Sequence, residues 1–275
     1  MKKLAQVLTI AGSDSGGGAG IQADLKTMSA WGCYGLTVLT AVTAQNTLGV
    51  SHIEALSQQS VAAQITAVMT DFEVNTIKIG MLASPALVQT VADSLRDYPR
   101  VQIVLDPVLV ATSGAVLGSA QTARSLQQEL FPRARLITPN LSETAVLLGR
   151  PIRTVEQMEQ AARELVDLGV HAALIKGGHL EDTDLLVDVL AIKTGQSILM
   201  RRYAHAKIST ENTHGTGCTL SSAIACGLAL GAPLEEAVAQ AIDYVQEAIR
   251  HAVSLNLGQG PGPLWHAFRN FPLIH

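Results

Sequence analysis

Short apolar runs rich in β-branched residues alternate with longer stretches of helical spacing along almost the whole chain, and this leaves few folds open. A run of four to eight such residues, bounded by turn residues, suits a strand buried on both faces. Residues 6–12, 36–44, 76–81, 101–106, 135–138 and 172–176 read this way. Between them, helical spacing runs from Ile21 through Leu25 and Met28, and over 61–69, 85–95, 143–148 and 155–168. Ser84 suits an N-cap with Pro85 at the first helical position, and Gly149 and Gly169 suit the ends of the helices before them. Residues 185–192 and 197–203 flank Thr194-Gly195 and predict a late antiparallel hairpin. Pro233 opens a long helix with Glu235 and Glu236 in its first turn and Arg250 and His251 near its end. Leu234, Val238, Ile242, Val245 and Ile249 form the buried face of that helix. Strands that alternate with helices predict a mainly parallel sheet covered by helices on both faces, a three-layer α/β/α fold. No internal repeat, linker or low-complexity segment divides residues 1–275, so a single domain is the simplest account.

Composition narrows the function. The core must come from Ala, Leu, Val and Ile, because 48% of the 275 residues are apolar and only 4% aromatic. The net charge of −4 and the dispersed lysines and arginines give no basic stripe for nucleic acid. Cys33, Cys218 and Cys226 are odd in number and widely spaced. They point to a reducing, cytoplasmic setting rather than a disulfide framework. No Cys/His pair has structural-zinc spacing. The uncharged run 212–234 is long enough for a membrane span, but its Gly, Ser and Thr content argues against one.

Two glycine-bearing stretches hold the chemistry. The first is Asn212-Thr213-His214-Gly215-Thr216-Gly217-Cys218, which runs into small residues that allow a helix to start at once. A helix N-terminus offers free N–H groups and a partial positive charge, so this is a candidate anion cradle with a thiol beside it. The second, residues 13–20, joins a strand to a helix and holds four glycines. It lacks the Gly-Lys-Ser/Thr of a P-loop and does not give the G-x-G-x-x-G spacing of a dinucleotide fingerprint. A plain flexible turn is the bland alternative. Polar residues also gather where strands end: Gln45, Asp106, Asn140 and Lys176. In open parallel sheets ligands collect beyond those ends.

The pieces residues 11–24, Thr43-Ala44-Gln45-Asn46-Thr47, Lys78-Ile79-Gly80-Met81, Asp106-Pro107-Val108, Thr138-Pro139-Asn140-Leu141-Ser142-Glu143, Lys176-Gly177-Gly178-His179 and His214-Gly215-Thr216-Gly217-Cys218 follow one another in order. Together they resemble the hydroxymethylpyrimidine and phosphomethylpyrimidine kinases of thiamine biosynthesis, members of the ribokinase-like superfamily. The resemblance spans almost the whole chain. It implies phosphorylation of 4-amino-5-hydroxymethyl-2-methylpyrimidine by ATP, then phosphorylation of the monophosphate to the diphosphate. It also implies a Mg²⁺ requirement and a homodimer, with no nucleic-acid or membrane partner.

On this reading Gly215, Thr216, Gly217 and Cys218 turn backbone N–H groups toward the moving phosphoryl group. Most superfamily members carry an aspartate base where this chain has Cys218; the pyrimidine-kinase branch shares the cysteine. Lys176 resembles the family's phosphate-contacting lysine. Gln45 can donate and accept at once, which suits an aminopyrimidine edge, and the resemblance also places it against the ring. Gly12, Ala19, Met81 and Val108 would line that ring, although a methionine alone is more often core. Asn140 matches the nucleotide side of an Asn-x-x-Glu element. Glu143 and Asp106 are oxygen ligands suited to Mg²⁺, in part through water, with a simple helix-terminal acid as the alternative for Glu143. Asp24 is placed within reach of the pocket, and His179 and His214 are candidates of lower rank. A pyridoxine or pyridoxal kinase of the same superfamily would look similar. A non-catalytic pyrimidine or nucleotide sensor would not need Cys218, Lys176, Asn140 and Glu143 together.

Overall fold

Strand β1, Gln6–Asp14, is the axis of the sheet, because the chain leaves it in one direction and returns to its other side. The structure is a computed structural model that describes residues 4–109, 119–178 and 185–269. After β1 come α1 (Gly20–Ala30), β2 (Tyr34–Asn46) and β3 (Gly49–Ala55). The chain then forms α2 (Gln58–Asp71), β4 (Thr76–Ile79), α3 (Pro85–Ser94), β5 (Gln102–Leu105) and α4 (Ala120–Ser125). A π turn at Leu126–Leu130 extends α4. Next are β6 (Leu136–Ile137), α5 (Leu141–Leu148), α6 (Val155–Asp167), β7 (Ala172–Ile175), β8 (Leu185–Thr194) and β9 (Ser197–Ala206). Helices α7 (Thr216–Ala229) and α8 (Leu234–Arg250) complete the set.

The described strands form one nine-stranded sheet in the order β3-β2-β1-β4-β5-β6-β7-β8-β9. β2, β1, β4, β5, β6 and β7 run parallel. β3 and the β8–β9 hairpin are antiparallel at the two edges. All six predicted parallel strands and the late hairpin are therefore present. β3 is an addition: Gly49-Val50-Ser51-His52-Ile53-Glu54-Ala55 is mostly exposed and has no apolar run to announce it.

The two faces of the sheet are assigned by alternate residues. Leu8, Ile10, Ile103, Leu105, Ile137 and Ile175 face a core with α2, α3, α4, α5 and α6. Val7, Val104, Leu136, Leu174 and Leu190 face a second core with α1, α7 and α8. Period-two alternation is what a pleated strand produces, and here both phases are apolar because both faces are covered. Helix α7 is buried from Thr219 to Leu228. A helix that is apolar or small all round belongs inside, and α7 lies under the sheet between α1 and α8. The helix expected from Glu143 begins at Leu141, because Asn140 is its N-cap.

Candidate active site

The six parallel strands bring their carboxyl ends to one side of the sheet. The order reverses at β1, which pairs β2 on one side and β4 on the other. A crevice must open at that switch point. It holds a cavity of about 580 Å³ lined by Gly12, Ala19, Gln45, Met81 and Val108, by Asp106, Asn140, Glu143 and Lys176, and by Gly215, Thr216, Gly217 and Cys218. Residues far apart in sequence thus meet in one space. Asp24 does not line it. Its carboxylate is fully buried, bound twice by Lys78 Nζ at 2.9 Å and by the hydroxyls of Thr9 and Ser222 at 2.6 and 2.7 Å. Lys78, not Asp24, reaches the cavity. His179 lies outside the described residues.

The two glycine-bearing stretches interlock. Asp14, at the end of β1, accepts hydrogen bonds from the N–H groups of Gly16, Gly18 and Ala19 at 2.8, 3.1 and 2.8 Å. His214 Nε2–H donates to the same carboxylate at 2.9 Å. Burial works against charge on Asp14, but these donors outweigh it and hold its pKa below the usual carboxylate value. The contact leaves no room for side chains. A Cβ on Gly18 would lie 2.3 Å from His214 Cδ2, and one on Gly215 would lie 1.8 Å from the Gly18 carbonyl oxygen. Gly215 is also the N-cap of α7, at φ +87°, and supplies no side chain to cap it. The first turn of α7 therefore brings its N–H groups to the cavity, a candidate anion site built from backbone.

Charge is concentrated on the cavity floor. Asp106 Oδ1 accepts from Lys176 Nζ and from Thr138 Oγ1, both at 3.1 Å, and Oδ2 accepts from Ser221 Oγ at 3.3 Å. Burial opposes the charge of Lys176, yet Asp106 and Glu143 together raise its pKa above the ordinary lysine value. Asn140 and Glu143 form a reciprocal capping box at the start of α5. The Asn140 amide nitrogen lies outside the box, and the Glu143 carboxylate also accepts from the Leu109 N–H. Burial pushes the Glu143 pKa up to about 7, with Asp106 adding and Lys176 opposing. Among the described residues no group of three or more His, Cys, Asp or Glu could enclose a metal.

Cys218 stands between this floor and the Lys78–Asp24 pair. Burial pushes its thiol pKa up to about 11, Lys78 pulls it down, and Asp24 and Asp106 add to the rise. The Gly20 N–H points at the sulfur. At neutral pH the group is a thiol. Cys33 and Cys226 lie in the core, where their thiols hydrogen-bond each other.

Backbone irregularities aim the other wall. The β1–β2 register shifts between Ala11 and Ser13, and the β2–β3 register shifts between Ala44 and Gln45. Such bulges re-aim side chains beside sites; here the extra residue lies on β2 opposite Gly12 and on β3 at Ser51, beside Gln45. Gly12 leaves space for Met81, whose Cε would be 2.7 Å from a Cβ there. Gln45 has Thr43 Oγ1 3.1 Å from its Oε1 and His214 Nε2 3.4 Å from its Nε2.

Sequence reasoning missed Asp14, Thr43 and Lys78. It also missed Asp188, His205, Lys207 and Gln246, which line the far half of the cavity from β8, the β9 end and α8. A buried lysine inside an apolar run, Thr76-Ile77-Lys78-Ile79, was the available signal for Lys78. Asp14, Thr43 and the β9-side residues carried none, since polar residues at loop starts and on a hairpin are ordinary.

A family model described as phosphomethylpyrimidine kinase matches residues 14–265. The hydroxymethylpyrimidine/phosphomethylpyrimidine kinase of Rhizobium meliloti (strain 1021) is 49% identical over 266 residues, 95% of this chain and 97% of that protein. The crystal structure of phosphomethylpyrimidine kinase from Clostridium difficile 630 is similar with a TM-score of 0.78 and 42% identity, over 90% of this chain and 100% of that one. The ADP complex of Bacillus subtilis pyridoxal kinase is similar with a TM-score of 0.87 and 34% identity, over 98% and 100%.

Proposed function

The chain belongs to the phosphomethylpyrimidine kinase family, and from that premise we propose that it phosphorylates 4-amino-5-hydroxymethyl-2-methylpyrimidine with ATP and then phosphorylates the monophosphate to the diphosphate. The observation that carries this reading is one cavity with two unlike walls. Gln45 offers a donor and an acceptor to a flat heterocycle, while the uncapped start of α7 offers N–H groups to a phosphate. A hydroxymethyl group on the ring then points at the phosphate.

Phosphoryl transfer is mainly positioning and charge stabilisation. The α7 N-terminus and Lys176 hold the transferred group. The hydroxymethyl oxygen forms the new O–P bond, the bond to the ADP oxygen breaks, and the hydroxyl proton leaves to solvent or, in the small fraction of molecules in which it is ionised, to the Cys218 thiolate. In the second step the attacking oxygen belongs to a phosphate monoester, largely deprotonated at neutral pH because its second pKa is near ~6. Asp106 and Glu143 fit Mg²⁺ as a pair of oxygen donors for an ion that keeps several waters. Asp106 is already bonded to Thr138, Lys176 and Ser221, which suits contact through water. The ion, when bound, neutralises charge on the nucleotide phosphates. Asn140 and Thr216 lie on the nucleotide side.

The exposed β3 edge, with Val42 and Leu48 uncovered beside it, supports a homodimer. Three free cysteines support the cytoplasm, and no described helix is long and apolar enough to cross a membrane. A second reading, pyridoxal kinase, draws on the similarity to the Bacillus subtilis enzyme. One assay separates them. With ATP and Mg²⁺, mass spectrometry is expected to detect diphosphate from the pyrimidine monophosphate; a protein that turns over only pyridoxal contradicts the proposal.

A further inference from the structure

The Gln45 amide has two ends of opposite chemistry, and its neighbours decide which end faces which. The Thr43 hydroxyl has one proton, and the Ser13 carbonyl, which can only accept, holds it at 2.9 Å. Toward Gln45, Thr43 Oγ1 can therefore only accept. On the other side stands His214 Nε2, whose proton is held by Asp14 Oδ2 at 2.9 Å. Asp14 is 2% exposed and kept ionised by three backbone donors, so Nε2 presents an N–H and never a lone pair. With Oε1 at Thr43 and Nε2 at His214, donor faces donor at 3.4 Å and Thr43 is asked for a second proton. Turned end for end about its last torsion, the amide meets an acceptor at Thr43, and its oxygen comes beside the positive side of the Nε2–H, whose proton stays on Asp14, instead of setting N–H against N–H. An amide's two ends are nearly equal in size, so partners fix its sense.

We infer that Asp14, acting through His214, and Thr43 together fix the polarity of the Gln45 amide, carbonyl oxygen toward His214 and NH₂ toward Thr43, and so make the pocket select 4-amino over 4-oxo pyrimidines. The inference rests on the proposed placement of the pyrimidine against Gln45. The amide oxygen accepts from the 4-amino group, and the remaining amide N–H donates to the adjacent ring nitrogen. The amino group then lies on the His214 side. The neighbouring hydroxymethyl group is directed along the same wall toward Gly215–Cys218, where transfer occurs. The reverse amide would turn the ring over and carry the hydroxymethyl group away. A 4-oxo ring offers a carbonyl where an N–H is needed and an N–H where an acceptor is needed. Asp14, Thr43 and His214 are positioning residues in this scheme.

Calorimetric titration of the full chain with 4-amino-5-hydroxymethyl-2-methylpyrimidine and with its 4-oxo counterpart gives a ratio of dissociation constants. That ratio is expected to be about 100 or more in the unaltered protein, as for sites built to hydrogen-bond one partner. Thr43→Val and His214→Phe free the amide to turn, and each is expected to lower the ratio about tenfold, whereas Thr43→Ser keeps it. If both substitutions weaken the two ligands equally and leave the ratio intact, the lock does not exist and these residues only support the loop. If the unaltered protein binds neither ring, the pyrimidine assignment itself fails, which is a separate and recognisable result.

Discussion

Cys218 occupies a position where a base is expected, yet its surroundings keep it protonated. Burial raises its pKa to about 11, and the nearby ammonium of Lys78 recovers only part of that shift. The two phosphorylations should therefore respond differently to pH. If the thiolate takes the hydroxyl proton, the first reaction speeds up about tenfold per pH unit from 7 to 9, because the thiolate fraction grows by that factor. The second reaction needs no such proton and is expected to level off above about pH 7. Cys218→Ala is expected to remove the slope from the first profile and to leave the second nearly unchanged. Initial rates for each substrate across that range are the check. Equal losses on both substrates, with no change of slope, would reduce Cys218 to a packing group.

Helix α7 concerns a whole element, because its start is the proposed anion site and its body is the core. Gly215→Ala puts a Cβ into the Gly18 carbonyl at a left-handed φ. It is expected to push the first turn off the phosphate and lower kcat on both substrates by about 10²–10³, with about 1–3 kcal/mol lost in unfolding. Gly149→Ala is the control. It has a similar φ at the end of α5 and nothing within 4 Å of the new Cβ, so stability falls by about 1 kcal/mol and activity stays. Steady-state rates and urea unfolding of the two variants separate the effects. Elements of this kind were the legible part of the sequence. Strands buried on both faces write themselves as mainly apolar runs, as at 172–175, and α7 did so through its small residues. β3 has no such signature, since an edge strand half in solvent needs none. The Asn140–Glu143 box shows another limit: cap and metal ligand call for the same residue types at the same spacing. Asp24 is within reach of the pocket by sequence with no residue-level argument for it, and only packing shows that Lys78 and Ser222 hold it inward.

Across the whole molecule, the segment after α8 folds back over the site and ties it to the core. His266 Nε2 lies 2.9 Å from Thr219 Oγ1 on α7, and the His214 N–H donates to the Gly262 carbonyl at 3.0 Å. Burial lowers the His266 pKa to about 4, from 6.5 in the unfolded chain. The unfolded chain therefore binds this proton first as pH falls. Stability is complete above about pH 7, declines through pH 6.5 and has lost its full share near pH 4. Between pH 7 and pH 5 the histidine is expected to cost about 2 kcal/mol. Urea unfolding at the two pH values checks this, and His266→Gln should flatten the difference. The parallel sheet and its helical covers were readable from alternation alone. The union of distant loops at the site was not, because nothing local marks Asp14 and His214 as neighbours.

That union also has a consequence for synthesis on the ribosome. Asp14 and His214 are 200 residues apart in the chain, and their contact joins the two halves of the pocket. A nascent chain can build β1, β2 and β4 long before His214 has emerged, but it cannot close the catalytic crevice. Contacts of such long sequence separation form late and slowly. Activity therefore switches on only after the segment around His214 has been made, and a product stopped before it also lacks α7 and α8, the helices that cover one face of the sheet.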